Sequence, residues 1–118
     1  MAGSVLLVDD DPAFLSLATR MLLAVGVSVS ATAATAAAAL AAAQAGRPQA
    51  ALVDVGLPDR NGIELACELA ALPWSPRVVL TSTDRDAVNC SANDGMPPFV
   101  PKEDLPNAPL RELLLADD

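Results

Sequence analysis

Asp9, Asp10 and Asp11 stand consecutively, directly after the apolar run Val5-Leu6-Leu7-Val8. Adjacent carboxylates repel one another, which costs free energy unless a cation, a basic side chain or water screens them. Asp54 closes a second apolar run, Ala50-Ala51-Leu52-Val53. Thr81 and Ser82 close a third, Val78-Val79-Leu80, and Lys102 stands just beyond Phe99-Val100. Carboxylates with backbone carbonyls and water form a hard oxygen site suited to Mg²⁺, and a lysine and a hydroxyl beside it suit phosphate oxygens. Taken singly, each residue is ordinary, because an aspartate after a strand usually caps or turns and a lysine is usually solvated. Together, ending separate apolar runs, they point to one site.

The elements that would gather them follow from hydrophobic patterning. Uninterrupted apolar runs fit strands covered on both faces, as in a parallel sheet between helices. Asp11-Pro12 is a helix start, and Phe14, Leu15, Ala18, Met21, Leu22 and Val25 fall at helical spacing before Gly26, which suits a left-handed stop. Val27 to Ser30 alternates as a short strand. Ala31 to Ala45 is nearly all alanine and predicts a helix capped by Thr32 and closed by Gly46 and Pro48. After the Asp54 strand, Gly56, Pro58 and Asn61-Gly62 mark a loop, with Asp59 and Arg60 on its surface. A third helix from Ile63 ends at Pro73, and Val78 to Ser82 is the fourth strand. A fourth helix over 84–93, a short fifth strand at Phe99-Val100 and a last helix from Pro109 complete the alternation. Such alternation implies a doubly wound parallel α/β sheet whose C-terminal strand ends open onto one crevice.

Composition narrows the chemistry. The 118 residues, 53% hydrophobic, suit one domain spanning 1–118 with no output domain. A net charge of −8 disfavours nucleic acid and anionic membrane surfaces as partners. The chain carries no membrane-length apolar stretch and no signal-peptide pattern, so a cytoplasmic location is expected. There is no histidine, which removes Ser-His-Asp and Cys-His catalysis and most transition-metal sites. Cys67 and Cys90 are expected to be small packing residues.

With these residues in place, the chain resembles the receiver domains of bacterial two-component response regulators. The resemblance rests on LLVDDDP at 6–12, LVDVGLPDRNGIEL at 52–65, VVLTS at 78–82 and FVPK at 99–102. It implies a flavodoxin-like five-stranded sheet of order 2-1-3-4-5 with helices on both faces. It further implies that Asp54 accepts a phosphoryl group from a phosphohistidine on a sensor histidine kinase or histidine phosphotransfer protein. Asp10, Asp54 and the Gly56 carbonyl would hold Mg²⁺, with Asp9 acting mainly through bound water. Lys102 would pair with Asp54 or the phosphoryl oxygens, a strand-four hydroxyl would bond the phosphate, and Phe99 would be the aromatic switch residue. Counting along the strands prefers Ser82 over Thr81 for that hydroxyl. The chain would then be a phosphoacceptor rather than an enzyme, signalling through a downstream protein partner.

The family usually has proline after the lysine, whereas here Glu103 follows Lys102 and Pro101 precedes it. Two other readings stay open. One is a receiver-like interaction module not controlled by phosphorylation; the other is a haloacid-dehalogenase-type phosphatase with Asp9 as nucleophile and Asp11 as acid/base.

Overall fold

The computed structural model describes residues 4–59, 61–83 and 99–107, together with positions 112 and 114. Five strands form one parallel sheet of order β2-β1-β3-β4-β5: β1 (Ser4–Val8), β2 (Ser28–Ala33), β3 (Ala50–Asp54), β4 (Arg77–Ser82) and β5 (Phe99–Pro101). The helices are α1 (Pro12–Ala24), α2 (Ala36–Gly46) and α3 (Gly62–Ala70), and a 3-10 helix, Lys102–Asn107, follows β5 directly. The expected sheet order is the observed one.

The apolar runs are buried on both faces, because alternate residues of each central strand feed two separate cores. Leu6, Val8, Ala51, Val53, Val78 and Leu80 meet α2 and α3 through Ala36, Ala39, Ala43, Leu65 and Leu69. Val5, Leu7, Leu52 and Val79 meet Ala18 and Leu22 of α1, with Leu105 and Leu114 from the C-terminal segment. Each fully buried leucine contributes roughly 1.5–3 kcal/mol relative to exposure. Two cores on opposite faces fix the sheet's flanks and leave its C-terminal edge to polar residues.

Helix α1 starts as its sequence dictates: Asp11 accepts from the Ala13 N–H at 3.0 Å and Pro12 occupies the first helical position. It stops where Gly26 takes φ 82°, allowing the Gly26 and Val27 N–H groups to reach back to Leu23 and Leu22.

The alanine-rich segment departs from expectation. β2 runs on to Ala33, so Thr35 rather than Thr32 caps α2, accepting from the Ala38 N–H at 3.1 Å. β2 stays paired with β1 as far as Val8, and the pairing includes a register shift: Val5 pairs with Val29 but Leu6 pairs with Ala31, leaving Ser30 as the extra residue. This bulge brings Ala33 level with Val8, and the Ala33 carbonyl then accepts from the Asp9 N–H at 2.9 Å. At its other end α2 is stopped by Arg47 in the left-handed region, φ 48°, with Gly46 still helical. The Arg47 guanidinium lies 5.2 Å from the centre of the Trp74 ring, within the range of a cation–π attraction.

Cys67, expected to be a packing residue, is exposed on α3. Cys90, Arg60 and the helix expected over 84–93 lie outside the described residues. Of the last expected helix, Glu112 and Leu114 are helical and Leu114 is buried.

Candidate functional site

The strand ends bring the predicted carboxylates together. Asp9 and Asp10 leave β1, Asp54 is the last residue of the adjacent β3, and oxygens of all three lie within 4.8 Å of one another. Asp9 is 1% exposed and Asp54 7%, whereas Asp10 faces solvent. Three hard oxygen donors this close, two of them buried, fit a magnesium-type ion, whose coordination shell would be completed by water and a backbone carbonyl such as that of Gly56.

Asp54 carries the electrostatic strain of this arrangement. Burial and the neighbouring Asp9 hold its pKa above the ordinary aspartate value of 3.8, and Asp10 adds to the rise. Lys102 and the Gly56 backbone hydrogen bond act in the opposite direction. A carboxylate whose charge is costly favours whatever neutralises it, whether proton, metal ion or covalent substituent.

The loop after β3 is fixed by contacts of Gly62, Asn61 and Asp59 that the sequence does not announce. The Gly62 N–H donates to the Val55 carbonyl at 2.8 Å, so the start of α3 lies against the backbone of Asp54 and Val55. A Cβ at Gly62 would meet the Asp54 carbonyl oxygen and come within 2.8 Å of the Val55 Cα. Asn61 caps α3 through the Ile63 N–H at 2.7 Å. Asp59, expected to be loop surface, instead accepts from the Ala36 and Ala37 N–H groups at 2.9 and 3.2 Å and is a second cap for α2. The loop carrying Gly56 is thereby tied to the helices on either side of it in sequence.

Lys102 reaches the site from the first position of the 3-10 helix, but its partner is not the expected one. Its Nζ stands 2.6 Å from Asp9 Oδ2, while Asp9 Oδ1 accepts from the Asp11 N–H at 2.9 Å. No well-aligned hydrogen bond reaches Asp9 Oδ2 among the described residues, so charge holds the pair. Asp54 feels Lys102 at longer range, through its field. The ammonium also lies 4.2 Å from the centre of the Phe14 ring.

The two strand-four hydroxyls differ. Thr81 is the register partner of Asp54, fully buried, and its Oγ1 has no hydrogen-bond partner among the described residues. Ser82 is one residue nearer the strand end and pairs with Pro101, the residue before the lysine. Phe99 is half-buried on β5, packed against the core on the α2 and α3 side.

The model of the response regulator receiver domain matches residues 5–111. The chain is 36% identical over 109 residues to the DNA-binding response regulator MtrA of Mycolicibacterium smegmatis, covering 87% of this chain and 47% of that protein. It therefore spans about half the length of that relative. Among solved structures it is similar to the signal receiver domain of NarL from Mycobacterium tuberculosis, at 30% identity and TM-score 0.74, covering 86% of this chain and 85% of that one. It is also similar to a CheY-like receiver domain protein from Methanospirillum hungatei, at 27% identity and TM-score 0.77, covering 96% and 94%.

Proposed function

Since the chain belongs to the response regulator receiver domain family, we propose that it is a phosphoacceptor of two-component signalling in which Asp54 takes a phosphoryl group in a Mg²⁺-dependent reaction. The observation that carries this reading is the convergence of the Asp9, Asp10 and Asp54 carboxylates within 4.8 Å, with Lys102 at the same sheet edge. An Asp54 oxygen forms a bond to phosphorus as the phosphorus–nitrogen bond of a phosphohistidine breaks, and the imidazole nitrogen leaves with the electron pair. Phosphoryl transfer of this kind requires a placed nucleophile and cationic neutralisation of the equatorial oxygens. Asp10, Asp54 and the Gly56 carbonyl would hold Mg²⁺, with Asp9 acting through bound water, and the ion would supply part of that charge. Lys102 supplies the rest from beside Asp9, and the Ser82 hydroxyl donates to a phosphoryl oxygen.

The donor is a sensor histidine kinase or histidine phosphotransfer protein. The phosphorylated chain then binds a downstream protein partner in the cytoplasm, with Phe99 reporting the state of the site. The chain acts as an acceptor that assists its own phosphorylation and dephosphorylation, not as a turnover enzyme. Against a dehalogenase-type role for Asp9 stand its contacts: one oxygen accepts from the Asp11 N–H and the other lies against Lys102.

Incubation with acetyl phosphate and Mg²⁺, followed by intact mass, tests the reading. It predicts a single phosphoryl increment on the wild type and on Asp9→Asn, and none on Asp54→Asn. No increment on the wild type would instead favour an interaction module independent of phosphorylation. Phosphate-ester turnover that depends on Asp9 would favour the phosphatase.

A further inference from the structure

We propose that Phe14 is a positioning residue for Lys102: its ring is the seat on which the ammonium rests above the acidic edge. This inference rests on the phosphoacceptor reading and assigns a residue that the reading leaves out. Phe14 lies in the first turn of α1, just after β1, whereas Lys102 follows β5, and β3 and β4 stand between those strands. The lysine side chain must therefore cross the sheet edge to reach Asp9. A flexible four-carbon stem carries much rotamer freedom, and one ion pair holds its ammonium from one side only.

The ring supplies the second point of attachment. Lys102 Nζ is 2.6 Å from Asp9 Oδ2 and 4.2 Å from the Phe14 centroid, so the charge is held between a carboxylate and an aromatic face. The lysine side chain is 14% exposed, and attraction to a ring face strengthens as the cation loses water. Phe14 is itself braced, packed against the core that holds Leu22, Leu105 and Leu114. Leu105 is in the same 3-10 helix that starts at Lys102, so one cluster fixes both the ring and the turn bearing the lysine.

The choice of an aromatic partner has a chemical consequence. A ring attracts the ammonium without a proton acceptor that fixes where its N–H groups point, so the donors stay free to turn from Asp9 to phosphoryl oxygens. A second carboxylate in that place would hold the donors and add to the repulsion around Asp54.

Lys102 is the only lysine in the chain, so ¹³C-lysine labelling gives one lysine side-chain signal set with no assignment problem. In the wild type the ε-CH₂ protons are expected upfield of their free-lysine position because of the Phe14 ring current. Phe14→Leu should abolish that shift and slow phosphorylation by acetyl phosphate at fixed Mg²⁺ by about three- to tenfold, and Phe14→Tyr should restore both. Fluorescence of Trp74, the single tryptophan, follows unfolding from a site hydrogen-bonded to the Pro48 carbonyl, two residues before β3, and verifies that both variants fold. An unshifted lysine in a wild type that still forms the adduct overturns the seat alone. Unchanged rates in Phe14→Leu, or no rescue by tyrosine, overturn the positioning role. A shifted lysine in a wild type that forms no adduct overturns the phosphoacceptor reading, and a role for Phe14 in transfer with it.

Discussion

Lys102 Nζ lies 2.6 Å from Asp9 Oδ2, so the chain's one lysine neutralises the metal-side aspartate and not the residue proposed to be phosphorylated. The pair is an internal counter-ion for the repulsion that the Asp9-Asp10-Asp11 run creates. It also places a cation close to where Mg²⁺ would sit, so the two charges oppose each other in that space.

Removing the lysine should therefore strengthen metal binding. Lys102→Ala is expected to bind Mg²⁺ several-fold more tightly than the wild type, on the order of 1 kcal/mol, in calorimetric titration at fixed ionic strength. The metal-free variant should be less stable than the wild type, because Asp9 stays buried without its partner. Equal Mg²⁺ affinity in the two proteins would show that the ion pair does not compete with metal.

Asp54 sets a pH dependence of defined sign. Burial, then Asp9, raise its folded pKa above 3.8, so between 3.8 and the raised value the folded state binds more protons than the unfolded one. Stability therefore falls as pH rises through that window. Urea midpoints without metal should show Asp54→Asn gaining on the wild type as pH rises from below 3.8 to neutrality, and Mg²⁺ should stabilise only the wild type appreciably. A variant advantage that shrinks with rising pH would reverse the sign and refute the assignment.

Gly62 is where the phosphoacceptor's backbone and α3 approach most closely. Gly62→Ala should cost about 1–3 kcal/mol or more in urea denaturation, since backbone atoms of Asp54 and Val55 must move to admit the methyl group. Adduct formation should slow as well, because the displaced atoms are those of the nucleophile's own residue. A fully stable and fully reactive alanine variant would mean that the loop relaxes freely.

The two hydroxyls of β4 separate by substitution. Thr81→Val removes a buried Oγ1 with no partner among the described residues, so it should be neutral or stabilising by up to about 1 kcal/mol and leave the adduct's lifetime unchanged. Ser82→Ala should leave Asp54 able to accept phosphate but change the adduct's lifetime, followed by mass over time. The opposite pattern would transfer the phosphate-contacting role to Thr81.

The central strands and the carboxylates at their ends were legible in the sequence because both depend on local pattern: apolar runs declare buried strands, and polar residues declare where they stop. The strand order came with the family resemblance. Contacts set by tertiary structure were not legible. Pairing of β2 with β1 through Ala33 keeps Thr32 in the strand and leaves Thr35 to cap α2, and no propensity separates two threonines in an alanine-rich stretch. Asp59 looks like loop surface until the start of α2 comes to lie beside it. Phe14 reads as a core residue by its spacing, since helical periodicity has no means of showing that a lysine 88 positions later lies over its ring. The lysine at the end of strand five was visible; which of three aspartates it meets depends on the fold.

The most direct test of the central claim is to locate the phosphoryl group chemically. After reaction with acetyl phosphate and Mg²⁺, borohydride reduction converts an aspartyl phosphate to homoserine, and peptide mass spectrometry reads the position. The account predicts homoserine at position 54 alone, dependent on Mg²⁺; homoserine at position 9 or 10, or at no position in a protein that folds and binds Mg²⁺, would contradict it.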